Sequence, residues 1–268
     1  MKTFLEKIFL SLINYKIFRF IFFSINSSVD NYFITSKKTG LLFFCKNYLI
    51  KYRIDTLLSK EKETIEWIKN FNKDDIFFDI GANIGLYSCY AAQKGIRTFS
   101  FEPSCLNLEI LVKNININNF EDIITVSPIA LSDKTKYSSF NISDNTIGGA
   151  LSTFAENFTY DGSKIKTALK YKTFGMSLDD CIKKFNLPQP DHLKIDVDGT
   201  EHLILQGSKE TLENCSSILV EVNENFYQQK YQVESILKSN NFKNISNHKH
   251  ILENSSANCF NQIWMKQK

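Results

Sequence analysis

From Asp75 onward the apolar residues of this chain alternate between two periods, which constrains the fold more than any other feature. Runs of strand character at Ile76–Ile80, Arg97–Glu102, Ile123–Val126, Leu193–Val197 and Ser217–Val222 are separated by stretches of helical period. Those stretches are Gly85–Lys94, Ser104–Asn118, Leu178–Phe185, Glu201–Leu212 and Phe226–Ser239. Strands that alternate with helices build a parallel sheet covered on both faces. The chain then breaks the rule. Phe242–His248 and Cys259–Lys266 read as two strands joined by a polar Asn/Ser loop, so the last pair is expected as an antiparallel hairpin at one edge. At 268 residues, 43% of them hydrophobic, the chain can bury a large core without staples.

Ligands of open α/β sheets sit outside the carboxyl ends of the strands, so the residues at those ends carry the functional signal. The first strand runs Phe77-Phe78-Asp79-Ile80 and turns through Gly81-Ala82-Asn83-Ile84-Gly85 into a helix. Glycine lets a ligand approach the backbone, and the helix start offers free N–H groups. The spacing is G-x-x-x-G and lacks the middle glycine of the dinucleotide fingerprint. The second strand ends Phe101-Glu102-Pro103, which places an acid about twenty residues after the glycines, where it can accept both hydroxyls of a ribose. Taken singly, Asp79 could cap a turn and Glu102 could neighbour a helix cap. Together they point to a nucleoside-containing cofactor.

Five motifs occur in order: Asp79–Gly85, Phe101-Glu102-Pro103, Ala130-Leu131-Ser132-Asp133, Leu178-Asp179-Asp180, and Lys194-Ile195-Asp196-Val197-Asp198-Gly199-Thr200-Glu201. The set resembles the FkbM family of class I, S-adenosylmethionine-dependent methyltransferases, from about Asp75 to Val222. The resemblance implies a Rossmann-like sheet of about seven strands with a terminal antiparallel hairpin. It also implies that Asp79, Gly81 and Gly85, with Asn83 between the glycines, surround the methionine end of the cofactor. Glu102 would hold its ribose, and the segment around Ala130 its adenine.

Methyl transfer from a sulfonium asks the protein mainly to hold an acceptor in line. A hydroxyl acceptor also gains from a general base. The Lys194–Glu201 block lies where that base belongs, at the carboxyl end of the fourth parallel strand. Asp196 leads among the candidates, with Asp198 at the turn and Glu201 and His202 opening the next helix. Glu201 has an alternative reading as an acid favoured by the helix dipole, and His202 as an orienting or surface group. Carboxylates at Asp196, Asp198, Glu221 or Glu224 could serve as hard metal ligands. The paired aspartates of such a site are absent, and no metal is expected. Asn223 stands near where related sequences often carry His.

Charge is unevenly distributed. Residues 1–60 hold ten basic and three acidic groups, a balance of +7, and the rest of the chain is −4. Residues 4–25 are rich in Phe, Leu and Ile, but Lys7, Lys16 and Arg19 interrupt them, and the longest charge-free run, Phe20–Val29, is too short to span a bilayer. Two readings stand: a helix buried against the body or a partner, or a basic apolar helix lying on an anionic inner membrane surface through residues 1–25. Asn31–Ser36 and Leu41–Ile54 are expected as strands around a Lys37–Gly40 turn, followed by a short helix over Lys62–Phe71. The expected organisation is an arm and hairpin (1–60) and a methyltransferase domain (61–268). The latter carries a Ser/Thr/Asn-rich insertion at 132–173, too long for an ordinary connection and of the kind that forms lids or substrate loops.

Only three of the 32 basic residues are Arg, which argues against nucleic acid as a partner. Six scattered cysteines without C-x-x-C argue against zinc and for a reducing cytoplasm. The expected function is O-methylation of a sugar hydroxyl in a bacterial surface glycan or its lipid-linked precursor, with peripheral attachment to the inner face of the membrane. The alternatives are methylation of a small secondary metabolite, an NAD-dependent sugar oxidoreductase or epimerase, and a non-catalytic membrane adaptor. Nothing in the sequence specifies an oligomeric state.

Overall fold

The computed structural model describes residues 7, 11, 12, 15–249 and 259–267. Its centre is a seven-stranded sheet built from β3 (Ile76–Ile80), β4 (Arg97–Phe101), β5 (Ile124–Ser127), β10 (His192–Ile195), β11 (Ser217–Asn223), β12 (Phe242–Lys249) and β13 (Cys259–Lys266). The strand order is β12-β13-β11-β10-β3-β4-β5. The five central strands are parallel, and β13 pairs antiparallel to both β11 and β12. This is the sheet the sequence predicts, terminal hairpin included. The Asn/Ser loop between its last two strands lies outside the described residues.

Period-2 patterning sends neighbouring side chains to opposite faces, and each face has its own core. Phe77 packs on one side with α3 (Lys62–Lys69), α4 (Leu86–Ala92) and α5 (Cys105–Ile117), through Ile68, Cys89 and Leu111. Phe78 and Ile80 pack on the other, with α6 (Leu178–Phe185), α7 (Glu201–Gln206), α8 (Lys209–Asn214) and α9 (Tyr227–Ser239), through Ile182, Leu205, Leu212 and Val233. From β3 the chain winds outward through β4 to β5, and it later returns on the other side of β3 as β10 and β11. The direction of winding reverses between β3 and β10, and a crevice opens at their carboxyl ends.

Four expectations are corrected. First, the predicted strand Leu41–Ile54 is a strand only at its start. β1 (Phe33–Thr35) pairs with β2 (Leu42–Phe44) across the Lys37–Gly40 turn, and then Asn47 caps α2 (Tyr48–Thr56) by accepting the Ile50 amide at 2.8 Å. The side chains of Asn114 and Asn118 on α5 bond the backbone of β2, and Phe43, Ile50, Ile54 and Leu57 join the core beside Phe77.

Second, the predicted helix Glu201–Leu212 breaks at Gly207-Ser208 into α7 and α8. A Cβ at Gly207 would sit 2.3 Å from the Ser132 carbonyl oxygen, so the break falls where a neighbouring segment packs closely against a glycine. Third, the insertion is an ordered second sheet. β6 (Ala130–Leu131), β7 (Lys136–Ile142), β8 (Ser152–Phe154) and β9 (Leu169–Met176) join in the order β6-β9-β7-β8 around Phe140, Ile142 and Phe154. Fourth, the described part of the arm is not buried against the body, one of the packings expected for it. No residue of α1 (Lys16–Asp30) is buried, and Ile17, Phe20, Phe23 and Ile25 stand in the open. The cysteines are free, and five of the six are buried, Cys105 being exposed.

Candidate active site

The turn after β3 decides the shape of the crevice. Gly81 and Gly85 both adopt φ of +83°, and Asn83 adopts +52°. The amides of Gly81 and Ala82 both donate to the Phe101 carbonyl at the end of β4. A Cβ on Gly81 would lie 1.9 Å from the Asp196 carbonyl oxygen, so the turn presses against the tip of β10 as only glycine allows. A Cβ on Gly85 would meet Leu111 of α5 at 2.4 Å.

Asp79 is completely buried. Its Oδ2 accepts a 2.6 Å hydrogen bond from Ser88, whose hydroxyl is in turn bonded by Ser100. Its Oδ1 has no hydrogen-bond partner among the described residues and lies 3.8 Å from the Lys194 ammonium. Burial raises the Asp79 carboxyl above its ordinary range, with Lys194 pulling the other way. Lys194, itself buried, donates to Asp196 Oδ2 at 2.8 Å. Burial works against its charge, yet Asp196 and Asp79 outweigh that cost and hold its pKa above the usual lysine value.

Glu102 is fastened to the same turn from the next strand. Its Oε2 accepts the Asn83 amide and its Oε1 the Ser104 amide, both at 2.8 Å. Burial pushes its pKa up to about 8 despite those two donors. A carboxylate has roughly four lone-pair sites, so two acceptor positions remain for a ligand. Asn83 reaches outward, its Nδ2 donating to the Gly149 carbonyl of the loop between β7 and β8.

The Lys194–Glu201 block divides by role. Asp196 is partly exposed at the tip of β10. Asp198, at φ +61°, accepts the amides of Leu151 and Ser152 on Oδ2, and burial together with the Asp196 charge raises its pKa to about 6. Glu201 is completely buried: Oε1 accepts the amides of Val197 and Gly199, and Oε2 accepts Gln229 Nε2 at 2.6 Å. Burial raises Glu201 to about 7. His202 is also buried, between Phe158 and Phe226, and its pKa falls to about 4 by burial. It is neither a surface group nor at the crevice mouth. Asn223 ends β11 with its Nδ2 unpartnered among the described residues.

Two cavities meet at this seam. The smaller, about 70 Å³, is lined by Glu102, Ala130, Phe101, Ile129 and Phe154 among others. The larger, about 310 Å³, is lined by Tyr87, Tyr160, Lys194 and Glu221, and by Arg53 and Lys60 from the chain around α2. Gly81, Asn83, Ala150, Asp196 and Asp198 belong to both. Of the sequence-predicted site residues, the cavity walls hold Gly81, Asn83, Glu102, Ala130, Asp196 and Asp198, while Asp79 is buried behind them, Gly85 packs behind the turn and Glu201 braces the loop below it.

Arg53, Lys60, Tyr87 and the Ala150–Leu151 loop are wall residues the sequence reading passed over. The one local clue was Asn47, an N-cap that announces α2 and thereby turns Arg53 inward. Among the described residues, no group of three or more His, Cys, Asp or Glu side chains is placed to hold a metal ion.

A family model described as a methyltransferase FkbM domain matches residues 79–254. Among curated relatives, the hexuronic acid methyltransferase AglP of Haloferax volcanii is 26% identical over 172 residues, covering 64% of this chain and 66% of that protein. The match thus spans just under two thirds of that relative's length. Among solved structures, a transferase of Pyrococcus horikoshii overlays with a TM-score of 0.50 at 11% identity, covering 88% of this chain and 72% of that one. The methyltransferase FkbM of Methylobacillus flagellatus overlays with a TM-score of 0.49 at 14% identity, covering 82% and 55%.

Proposed function

Because the chain belongs to the FkbM methyltransferase family and has the class I methyltransferase fold, we propose that it transfers a methyl group from S-adenosylmethionine to a sugar hydroxyl. The glycan would be a bacterial surface polysaccharide or its lipid-linked precursor. The observation that carries this reading is the pair of cavities joined at Gly81 and Asp196. The acidic and apolar lining of one suits a nucleoside and the polar lining of the other an acceptor, and the reacting atoms would meet at the seam. The name of the AglP relative, a hexuronic acid methyltransferase, supports a sugar as acceptor.

The residues present fit the cofactor. Gly81 leaves the space a side chain would fill, Asp79 keeps an oxygen without a hydrogen bond, and Glu102 has acceptor positions to spare. In this reading Glu102 holds the ribose hydroxyls, and Ala130, Phe101 and Ile129 enclose the adenine. Asp79 and the Gly81–Asn83 backbone hold the methionine end, with Gly85 keeping the turn tight. When bound, the cofactor supplies a methyl group on a positively charged sulfur, which departs as a neutral thioether.

Asp196 takes the proton from the acceptor hydroxyl as it attacks, and Lys194 holds the carboxylate in place from behind. Asp198 anchors the Leu151–Ser152 loop over the seam, and Glu201 keeps the Val197–Gly199 turn in shape. A general base of this kind contributes about 10²- to 10⁴-fold. Asp196→Asn should lower kcat by that factor, measured by transfer of labelled methyl, while calorimetric affinity for S-adenosylmethionine is retained. Full turnover in the variant would refute the assignment. Mass spectrometry of surface glycans from a deletion strain tests the substrate: no glycan losing a methyl group would refute it.

The N-terminal sixty residues serve two ends in this reading. The region around α2 completes the acceptor cavity, and α1 holds the enzyme peripherally at the inner, cytoplasmic face of the membrane. No described helix is long and apolar enough to cross a membrane. Lys16 and Arg19 lie on α1 among its exposed Ile and Phe residues, and each basic group near an anionic surface adds about 1 kcal/mol.

A further inference from the structure

We propose that the acceptor carries an anionic group, a carboxylate or a phosphate, and that the guanidinium of Arg53 receives it. This rests on the methyltransferase reading and adds a substrate class to it.

Arg53 lies on α2, outside the seven-stranded sheet, yet it lines the larger cavity together with Thr56, Leu57 and Lys60. The acids of that cavity that flank the seam come from other elements, Asp196 and Asp198 from the tip of β10 and Glu221 from β11. Glu61 also lines the Arg53 wall beside Lys60, and Lys194 lines the acidic end, so the charge at neither end is of one sign.

The Arg53 side chain is held but not satisfied. Its Nε donates to the Gly148 carbonyl at 2.8 Å, which fixes the plane of the guanidinium. Its two Nη atoms make no hydrogen bond or ion pair with any described residue. Asp198 lies near enough to feel its charge, but Asp198 Oδ2 is occupied by the Leu151 and Ser152 amides. Lys60 on the same wall is paired with Glu61 at 3.4 Å, which leaves Arg53 as the cation there with open donors.

A guanidinium offers donors only, in a rigid fork that matches the two oxygens of a carboxylate or phosphate. A half-buried fork left open in a cavity wall calls for an anion more than for a neutral hydroxyl, which offers a single oxygen and no charge. The chain meets its other needs for positive charge almost entirely with lysine, arginine being three of 32 basic residues. The acidic end need not repel such a ligand. Burial and the neighbouring Asp196 and Asp198 charges lift Glu221 well above the ordinary carboxyl range, which favours its neutral form. An acceptor bound this way presents its anion to Arg53 and a ring hydroxyl to Asp196.

The test uses the full chain, methyl-labelled S-adenosylmethionine and four probes: methyl glucuronide, its methyl ester, glucose 1-phosphate and methyl glucoside. Hydrogen bonds to a charged group imply a preference of about tenfold to a hundredfold in kcat/KM for a charged probe over the uncharged ones. The first and third probes separate carboxylate from phosphate. Arg53→Met should abolish the preference mainly through KM, and Arg53→Lys should restore part of it. Cofactor affinity should stay unchanged in both, which also reports that the variants fold. Equal kcat/KM on charged and uncharged probes, or an Arg53→Met enzyme that keeps the preference, would overturn the inference and leave the sugar reading standing. No turnover of any probe by protein that binds the cofactor would overturn both. Failure to bind the cofactor would remove the underlying reading itself.

Discussion

Replacing Gly81 with Ala tests the close approach of the β3 turn to the tip of β10. Two costs add. A non-glycine residue at φ +83° pays about 1–2 kcal/mol in left-handed strain. Overpacking costs about 1–3 kcal/mol more, and the upper part of that range applies because the obstacle at 1.9 Å is the Asp196 backbone oxygen, which no rotamer change can move. Alanine returns roughly 0.4–1 kcal/mol by restricting the unfolded chain. The net loss is about 2–4.5 kcal/mol, or roughly 4–18 °C in Tm for a chain of this size.

Gly40→Ala supplies the control. Gly40 has φ +76° with nothing within 4 Å of the added carbon, so strain alone acts and the net loss stays below about 1.5 kcal/mol. Thermal and urea denaturation of both variants, with calorimetry of S-adenosylmethionine, gives the comparison. Gly81→Ala should also lose cofactor affinity, because relieving the clash parts Gly81 from Asp196. The reasoning is wrong if Gly81→Ala melts with Gly40→Ala, or if it binds the cofactor as the parent does.

Three further outcomes are expected. Glu201 and Glu102 are raised by burial to about 7 and about 8 from an ordinary 4.5, so the folded state holds more protons than the unfolded one. Stability from this source is fully present below the unfolded pKa and is lost as pH rises through the folded values. His202, lowered to about 4 by burial, acts oppositely only below its ordinary 6.5, so the ligand-free urea midpoint should fall between pH 6.5 and 8. A flat or rising midpoint would contradict the burial of the two acids. Lys194→Met leaves Asp79 and Asp196 without their shared cation, and urea unfolding should show a loss of about 3–5 kcal/mol; stability equal to the parent would mean the bridge contributes nothing. Deleting residues 1–31 removes a helix with no buried residue, so Tm should stay within a few degrees while sedimentation with anionic vesicles is lost. Vesicle binding that survives the deletion would dissociate α1 from the membrane.

The parallel sheet and its helices were legible because each element is specified locally. Phe77, Phe78 and Ile80 alternate across the sheet, and Ser177 caps the helix that follows it. The Asp79–Gly85 turn and Glu102 were legible for the same reason. Strand ends determine the chemistry of this fold, and the strands announce their ends. The Leu41–Ile54 stretch was misread because its Tyr, Ile and Phe content suits a strand, and the single capping side chain of Asn47 outweighs that preference. The insertion hid its second sheet because β8 and β9 are far apart in sequence and each pairs with β7 through contacts that composition does not report.

By itself, then, the sequence determined which residues stand at the strand tips, because backbone period and turn chemistry act over a few residues. Only the tertiary structure decided what each acid does once there. Glu201 is turned away into a brace, Asp198 is tied to the Leu151 loop, and Asp196 remains partly exposed at the seam with Lys194 behind it. The wall of the larger cavity is likewise a product of folding. Arg53 reaches the cavity because Ile50, Ile54 and Leu57 are drawn into the core beside Phe77, and burial of apolar surface between distant segments leaves no mark at any one position of the chain.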